Sequence, residues 1–332
     1  MKVNKQARII GLGSYVPEQI LSNTDLEKMV ETSDEWIVSR TGMKERRLAA
    51  KDQYTSDIGY EAVKKAMHSA NISAESIDLI LFVTITPDYI FPGTACLIQK
   101  KLNASNAAVL DIQAACTGYL HALATAKAYV ESGMYKTILM VSADKLSSIV
   151  DYSDRNTCVL FGDGASACVI AGEGKGYAIN KIILGADGDQ SQLLILPAGG
   201  SKKPATHETV KEREHYLQMA GKEVYKHAVR RMEMSVKNCL DVAGLKEEDI
   251  SWLVPHQANI RIIESIAKRF KIPKERVFLT IHKYGNTSAS SVGIALEELI
   301  KQNDVQSKEH IMLTAFGAGL TYGAALLTCE VD

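Results

Sequence analysis

The sequence predicts an α/β protein made of two duplicated halves, each with a mixed, mainly parallel sheet, packed together through a shared layer of helices. Three observations predict this class. Continuous apolar runs of strand length alternate with helix-length segments. Residues 63–80 align without a gap to residues 236–253, an offset of 173 residues. The order of strands, turns and helices after each copy also repeats.

The aligned segments justify the first helix and strand of each half. Val63 matches Val236, and each copy indicates a helix, a short turn and an apolar strand. The strands are LILFV at 79–83 and WLVPH at 252–256. Both are short, uncharged and bounded by polar residues, which is typical of strands buried in a parallel sheet.

The later elements repeat in the same order. A small-residue turn and a helix follow the second strand of each half, and the helix of the first half is predicted from about Thr117 to Glu131. The paired strands are 107–112 with 277–281, 136–144 with 309–317, and 164–170 with 323–329. We therefore divide the chain into halves at 1–175 and 176–332. The first half carries an insertion at 147–161, and an irregular stretch at 187–215 precedes the second repeat; segments of this length are typically caps or binding loops.

Composition excludes several classes. Apolar residues make up 46% of the chain, and 38 Lys and Arg nearly balance 39 Asp and Glu, so no basic excess indicates nucleic acid. The first residues lack the apolar core of a signal peptide. Residues 311–329 form an apolar segment long enough for a membrane span, but their glycines favour two buried strands around a turn. The six cysteines form no CxxC pair, so we predict reduced thiols, a cytoplasmic protein and no metal site.

Three polar residues follow strands at equivalent places in the two halves. Cys116 follows the strands of the first half, and His256 and Asn286 follow those of the second. In α/β folds ligands gather beyond the carboxyl ends of strands, at the seam between units. The duplication therefore predicts that Cys116, His256 and Asn286 meet.

Each of these residues has a second interpretation. Cys116 is predicted at a helix N-terminus, which favours thiolate, but small neighbours also suit a packed thiol. Pro255 restrains the backbone of His256, yet a lone histidine is often only a polar side chain whose hydrogen bonds are satisfied within the protein. Asn286 in GNTS could be a turn residue or a helix cap. The turn AFGAGLTYG at 315–323 offers backbone N–H groups that could stabilise an oxyanion.

Two further surfaces are candidates. Trp36 and Arg40 lie four residues apart on one face of a short predicted helix, where they suit a purine and a phosphate or an ordinary surface helix. Arg261, Lys268 and Arg269 share a face of the helix after His256. Such a face could bind an acidic partner or be simply solvated.

Taken together, these motifs closely resemble the type III 3-oxoacyl-(acyl-carrier-protein) synthases. The resemblance runs from GLGSYVPE at 11–18 to the C-terminus and includes TSDEWIVSRTG, the Cys116 segment, FGDGA, VPHQAN, GNTSASS and AFGAGLTYG in the family's order. It implies the thiolase fold, which agrees with the internal repeat. It also implies the first condensation of fatty acid synthesis, in which a short acyl-CoA, acetyl-CoA by expectation, reacts with malonyl-carrier protein.

The resemblance assigns roles to residues. Cys116 would be acylated, while His256 and Asn286 would bind the malonyl thioester and stabilise its enolate. The backbone N–H groups of Cys116 and Ala318 would form the oxyanion hole. Ala318 replaces the family's usual glycine, and a backbone donor survives if its φ stays negative. No metal or resident cofactor is implied, because coenzyme A thioesters are substrates.

The remaining roles concern binding. The resemblance implies that Trp36 and Arg155 sandwich the adenine of coenzyme A. The rest of the coenzyme would contact Thr32, Arg40 and Asn259. Phe91 would close the acyl pocket across a homodimer interface, and the acidic carrier protein would dock on Arg261, Lys268 and Arg269.

Other condensing enzymes fit less well. Elongating synthases use Cys-His-His, thiolases use a second cysteine where Cys329 fits poorly, and a hydroxymethylglutaryl-type synthase needs a glutamate for which only Glu75 is near. Two alternatives stay open. One is a relative that acylates metabolites in a specialised pathway, and the other is a non-catalytic scaffold that binds coenzyme A or carrier protein.

Overall fold

The computed structural model describes residues 5–331. Its strands are β1 Arg8–Tyr15, β2 Gln19–Ser22, β3 Glu45–Leu48, β4 Leu79–Val83, β5 Ala108–Ile112, β6 Thr137–Asp144, β7 Gly164–Ala171, β8 Gly176–Ala186, β9 Leu194–Ile195, β10 Gln218–Met219, β11 Ile250–Pro255, β12 His310–Gly317 and β13 Thr321–Glu330. Its helices are α1 Asn23–Glu27, α2 Asp34–Thr41, α3 Thr55–Ala70, α4 Thr94–Leu102, α5 Gly118–Ser132, α6 Arg155–Cys158, α7 His207–Lys211, α8 Gly221–Ala243, α9 Ile260–Arg269, α10 Ile281–Tyr284 and α11 Ser290–Gln302.

The main sheet has the order β11-β12-β13-β8-β1-β7-β6-β4-β5. On one side β5, β4 and β6 are parallel to one another, and β7 pairs antiparallel with both β6 and β1. On the other side β11 and β12 are parallel, followed by antiparallel β13 and β8. The two sides join where β1 pairs with β8, at Arg8 with Ala178 and at Ile9 with Tyr177. The mixed sheets in the predicted α/β class are confirmed.

Helices α5 and α11 form the shared central layer. Leu120 and Leu123 of α5 and Leu296 of α11 belong to one buried cluster. The cluster also contains side chains from the strands on either side of the β1–β8 pairing. Along β6, alternate residues serve different layers: Met140 belongs to this central cluster, and Val141 to the outer cluster under α3 and α4. Because successive side chains in a strand point to opposite faces, a strand covered on both faces must be apolar throughout.

The second half has its own outer layer. Helix α8 packs Met232, Val236 and Leu240 against Met312 of β12 and Leu326 of β13, with α9 beside it. The segment 311–329, whose interpretation as two strands competed with a membrane span, forms β12, a turn and β13. Within residues 5–331 no helix is long and apolar enough to cross a membrane.

The predicted strand at 277–281 is wrong. The segment makes a single bridge between Leu253 and Val277, and α10 already begins at Ile281. The side-chain oxygen of Gln257 accepts the backbone N–H groups of Thr280 and Ile281 at 2.9 and 3.1 Å. These donors are therefore unavailable for a strand ladder, and the chain turns into a helix instead.

The predicted boundary at 175/176 lies in the turn between β7 and β8, and the division into halves stays a prediction. Residues 1–4 and 332 of those predicted halves lie outside the described residues. The insertion at 147–161 contains α6, and the stretch at 187–215 contains β9 and α7. Both segments contribute to the site described next.

Candidate active site

Cys116 lies in a 3-10 turn, Ala115–Thr117, that leads directly into α5. The residue is 7% exposed. The turn between β12 and β13 approaches it so closely that a Cβ placed on Gly317 would lie 2.8 Å from the Cys116 nitrogen. Only glycine leaves room for this approach, which brings a second backbone segment beside the thiol.

Burial controls the state of the thiol. Loss of solvent raises the pKa of Cys116 to about 12, and the nearby Ser288 hydroxyl only partly opposes this. Burial therefore favours the protonated thiol, whereas the start of α5 beside Cys116 favours the thiolate. The predicted thiolate stays a prediction.

His256 follows β11 and is held on two sides. Its backbone N–H donates to the Thr314 carbonyl at 2.8 Å, and its ring Nδ1 lies 2.6 Å from the Ser291 hydroxyl. That hydroxyl already accepts the N–H of Gln257 at 3.2 Å, so its own proton is directed to Nδ1. With the Ser291 proton on this contact, the imidazole proton sits on Nε2. Burial lowers the pKa of His256 to about 3, and the ring is neutral.

Asn286 is fixed by its backbone. Its N–H donates to the Leu160 carbonyl at 2.9 Å, and its carbonyl accepts from Gly162 at 3.0 Å. Its side-chain oxygen accepts the N–H of Ser288 at 2.8 Å. Its Nδ2 group makes no hydrogen bond to other residues in the described part of the chain, so a donor is left for a ligand.

The structure brings the three predicted residues together. Cys116, His256 and Asn286 line one cavity, with Asn259 also in its wall. The other walls are mainly apolar and come from α8, α9, the insertion, the β9–β10 strand pair and β12. Their side chains include Leu160, Phe161, Leu194, Met219, Val224, Met232, Ile262 and Phe316. Such a cavity combines a nucleophile with two neutral hydrogen-bond donors in an environment of low polarity.

The predicted nucleotide-binding residues lie around the junction of α2, α6 and α9. The Arg155 guanidinium is 5.2 Å from the centre of the Trp36 ring and donates to the Glu31 carbonyl at 2.9 Å. A purine between them would require a separation of roughly 7 Å, two van der Waals layers. The Arg155 guanidinium therefore stacks directly on the Trp36 ring, and the two side chains must move apart to admit a base.

Thr32, Arg40 and Asn259 occupy the same region. The Thr32 hydroxyl is buried and has no hydrogen-bond partner among residues 5–331. Arg40 is exposed in the last turn of α2. The Asn259 side chain caps α9 by accepting the N–H of Arg261 at 2.9 Å, which leaves its own amide donors free.

The basic residues of α9 differ in their partners. Arg261 donates to the Ser39 carbonyl at 2.9 Å, and Arg269 lies 3.6 Å from Glu247. Lys268 is exposed and forms no ion pair with any residue in the 5–331 range. The three cations therefore share a helix, but only the lysine is without a competing contact.

Two predicted residues stand apart from the cavity wall. Phe91 is 84% exposed and does not line the cavity of its own chain. Ala318 is half-buried next to Gly317, its carbonyl accepts the Thr321 hydroxyl at 2.9 Å, and its φ is not positive. The condition for an N–H donor at Ala318 is therefore met.

Several neighbours of the site were not found from the sequence: Ser291, Gln257 and the cavity wall from α8. A serine or a buried glutamine has no local pattern that marks it as a partner of a residue far away in the chain. Among the described residues, no group of three or more His, Cys, Asp or Glu side chains could hold a metal ion.

Comparisons with known proteins agree with this geometry. The family model for 3-oxoacyl-[acyl-carrier-protein] synthase III matches residues 110–188, and the model for the C-terminal part of the same family matches residues 240–329. A beta-ketoacyl-[acyl-carrier-protein] synthase III of Chlamydia muridarum is 57% identical over 97% of this chain and 99% of its own.

The chain belongs to the 3-oxoacyl-[acyl-carrier-protein] synthase III family. It is therefore a condensing acyltransferase. A solved synthase III from Aquifex aeolicus is 45% identical, with a TM-score of 0.89 over 97% of this chain and 99% of that one. A priming beta-ketosynthase from the R1128 polyketide pathway is 33% identical, with a TM-score of 0.90 over 100% and 99%. The synthase III fold confirms the thiolase-fold prediction.

Proposed function

We propose that this protein carries out the decarboxylative condensation of a short acyl-CoA with malonyl-carrier protein, which gives 3-oxoacyl-carrier protein and initiates fatty acid synthesis. One observation carries the proposal. In a member of the synthase III family, Cys116, His256 and Asn286 line a single, mainly apolar cavity. A nucleophile and two neutral donors are the groups that acyl transfer and enolate formation require.

The first half-reaction is acylation of Cys116. Its sulfur attacks the thioester carbonyl carbon of the primer, the carbon–sulfur bond to coenzyme A breaks, and a new thioester forms on the enzyme. The N–H groups of Cys116 and Ala318 are proposed to hold the oxyanion of the tetrahedral intermediate. The fit of Gly317 against the Cys116 nitrogen supports this, because it places both backbone segments around one point.

The second half-reaction is decarboxylative condensation. Asn286 Nδ2 and His256 Nε2–H are proposed to donate to the thioester oxygen of the malonyl group. Loss of carbon dioxide then leaves an enolate, whose carbon attacks the acyl group on Cys116. A neutral His256, with its Nδ1 occupied by Ser291, stabilises the enolate without protonating it. The low polarity of the cavity strengthens both hydrogen bonds.

The coenzyme A site is proposed at Trp36 and Arg155, with Thr32, Arg40 and Asn259. The unsatisfied Thr32 hydroxyl and the unused amide donors of Asn259 support it, because both can bind polar groups of the pantetheine arm. Trp36 and Arg155 offer a ring face and a planar cation to a purine once their own stack opens.

The carrier protein is proposed to dock on Arg261, Lys268 and Arg269. Asn259, the cap of the helix that carries them, lines the cavity, so a phosphopantetheine arm could enter beside the docked protein. Attraction between this basic face and an acidic carrier would speed and orient the encounter.

A homodimer is proposed to complete the acyl pocket. Ile90 and Phe91 are 88% and 84% exposed, and Leu110 is 41% exposed on the edge strand β5. Exposed apolar residues beside an unpaired edge are typical of an interface. Phe91 of one subunit would then close the pocket of the other and favour a short primer such as acetyl-CoA. With six cysteines as thiols, we place the enzyme in the cytoplasm.

A second function is supported by the likeness to the R1128 priming ketosynthase at 33% identity. A priming condensation in a specialised pathway would use the same three residues with another acyl-CoA. The non-catalytic scaffold has less support, because a binding protein needs no complete Cys116, His256 and Asn286 set.

The test is acylation followed by condensation. Purified protein is incubated with a panel of acyl-CoAs, and intact mass is recorded for the wild type and Cys116→Ala. We expect the mass of one acyl group in the wild type alone. Malonyl-carrier protein should then release carbon dioxide and the 3-oxoacyl product. A preference for acetyl-CoA supports fatty acid initiation, a preference for an unusual primer supports the specialised pathway, and coenzyme A binding without acylation supports a scaffold.

A further inference from the structure

Arg46, in strand β3, is a fully buried arginine that the mechanism above does not use. Its Nη1 donates to the side-chain oxygen of Asn23 at 2.7 Å and to the Leu21 carbonyl at 3.4 Å. Its Nη2 donates to the Val159 carbonyl at 2.5 Å. Within residues 5–331 the guanidinium forms no ion pair with a carboxylate, and its Nε has no hydrogen-bond partner.

The burial of this cation needs a physical reason. Removing a charge from water without a counter-ion is costly, and an apolar side chain of similar size would often fill the same space with a gain in stability. What an arginine adds is a planar set of donors on a long stem, which can bind two separate segments of the chain at once. The segments that Arg46 joins therefore indicate what it does.

One of these segments is 159–162, which holds the backbone of Asn286 on both sides. The Asn286 N–H donates to the Leu160 carbonyl at 2.9 Å, and the Asn286 carbonyl accepts the Gly162 N–H at 3.0 Å. Phe161 and Asn286 form an isolated parallel bridge at this place. Leu160 and Phe161 also line the cavity beside Asn286. The position of this segment therefore sets the position of Asn286 in the cavity.

The stem of Arg46 packs where these two backbones meet. A Cβ placed on Gly162 would lie 3.0 Å from Cβ of Arg46, and one placed on Gly285 would lie 3.4 Å from the same atom. The first added Cβ would also lie 2.5 Å from the Tyr284 carbonyl oxygen, and the second 2.8 Å from that of Leu160. Only glycines let the two segments touch in this way, and Arg46 lies against both.

The other side of Arg46 is anchored away from the cavity. Asn23, the first residue of α1, is 2% exposed and does not line the cavity. While its side-chain oxygen accepts from Arg46, its amide nitrogen donates to the Asp34 carboxylate at 2.8 Å and to the Met43 carbonyl at 2.9 Å. The oxygen and both amide protons of Asn23 are thus engaged, so Arg46 holds Val159 from a fixed base.

We propose that Arg46 is a positioning residue for Asn286. It fixes segment 159–162, and this segment holds the Asn286 amide where it can donate to the malonyl thioester. The inference rests on the proposed function, in which Asn286 binds that thioester. Arg46 does not line the cavity, so it acts through these contacts. It should matter for the malonyl step and much less for acylation of Cys116, because the turn of that residue packs against Gly317 instead.

The variants that test this role are Arg46→Met and Arg46→Lys. Methionine keeps an unbranched apolar stem without charge or donors, and lysine keeps the charge but replaces the guanidinium fork by one ammonium. Arg8→Met is the matched control, because the half-buried Arg8 also donates to two backbone carbonyls, and to Glu330, outside the cavity. Two rates are measured: acylation of Cys116 by saturating acyl-CoA, and carbon dioxide release from malonyl-carrier protein by the acylated enzyme.

We expect carbon dioxide release to fall about tenfold in both Arg46 variants at an unchanged KM for malonyl-carrier protein, because a misplaced donor is felt mainly in the transition state. Acylation should stay within about twofold of the wild type, and Arg8→Met should match the wild type in both rates. If Arg46 only fills space, Arg46→Met releases carbon dioxide at the wild-type rate. If it only stabilises the fold, both rates fall together. Either result overturns the inference.

A double-mutant cycle separates positioning from a general structural effect. In Asn286→Ala the amide that Arg46 positions is absent, so adding Arg46→Met should reduce carbon dioxide release no further. Two effects that multiply would mean that Arg46 acts on another group, and the inference would be overturned.

A third measurement does not depend on activity. Hydrogen exchange is followed by mass spectrometry in peptides that contain the N–H groups of Asn286 and Gly162. Both groups should exchange about tenfold faster in Arg46→Met than in Arg8→Met, and equal exchange overturns the inference. If Arg46→Met does not fold, Asn23→Ala, which removes one acceptor of the guanidinium, is studied with the same readouts. If the wild type is neither acylated nor releases carbon dioxide, the proposed function fails, and hydrogen exchange alone decides whether Arg46 positions Asn286.

Discussion

The Ser291 hydroxyl lies 2.6 Å from Nδ1 of His256 while it accepts the N–H of Gln257. We infer that the Ser291 hydroxyl donates to Nδ1, which places the imidazole proton on Nε2, the nitrogen proposed to face the malonyl thioester. Ser291 therefore acts through His256, as a positioning residue, across 35 residues of chain.

The first prediction concerns this contact. Ser291→Ala should lower the rate of malonyl-carrier protein decarboxylation about tenfold, because the neutral ring loses the partner that fixes its tautomer. Acylation of Cys116, measured by intact mass, should be nearly unchanged. Ser291→Thr keeps a hydroxyl and should retain most of the activity. Equal rates in the alanine variant and the wild type would contradict the role of Ser291.

The second prediction concerns the close approach of Gly317 to Cys116. An alanine there would place its methyl 2.8 Å from the Cys116 nitrogen, so one of the two backbone segments must move. We expect Gly317→Ala to slow acylation about 100-fold, the scale of one lost oxyanion donor. Gly188→Ala is the control, since its added methyl has no atom within 4 Å. Near-normal acylation of Gly317→Ala would argue against this oxyanion hole.

The third prediction concerns the Trp36–Arg155 stack. Trp36→Ala should raise the KM for acyl-CoA about tenfold and leave kcat nearly unchanged, because the ring binds a remote part of the substrate. Arg276→Ala serves as a control, since Arg276 lies 4.9 Å from the Trp252 ring in another Arg–Trp stack. Steady-state kinetics separates the two parameters. An unchanged KM would place the adenine elsewhere.

The fourth prediction concerns pH and His256. Burial lowers the pKa of this ring from 6.5 to about 3, so between these values the unfolded chain binds a proton that the folded chain does not. Stability should therefore fall as the pH drops below 6.5, by about 2 kcal/mol from this residue between pH 6.5 and 5. Urea unfolding at several pH values checks the slope. His256→Gln should flatten it; an identical slope would mean that the ring is not held neutral.

The fifth prediction concerns carrier-protein docking. Lys268 has no ion pair with any other residue of the described chain, whereas Arg261 and Arg269 have partners. Lys268→Glu should raise the KM for malonyl-carrier protein about fivefold at low salt, and less at high salt, because screening weakens exposed charges. Lys237→Glu, on α8 and paired with Asp241, is the control with the same charge change. A salt-independent KM would contradict docking at this face.

Much of the fold could be predicted from local patterns. The runs at 79–83 and 136–144 form strands because they are apolar on both faces, as a covered sheet requires. The segment at 277–281 has the same composition but not the same partners. The N–H groups of Thr280 and Ile281 donate to the side chain of Gln257, a contact that no pattern within the segment predicts.

The sequence by itself determined the duplicated α/β architecture and the meeting of Cys116, His256 and Asn286, because strand periodicity and the internal repeat are local or regularly spaced signals. Only the tertiary structure decided that burial raises the pKa of Cys116 and that the Ser291 hydroxyl lies against Nδ1 of His256. These properties depend on burial and on contacts between distant segments. Desolvation and hydrogen-bond geometry exist only once those segments are packed together.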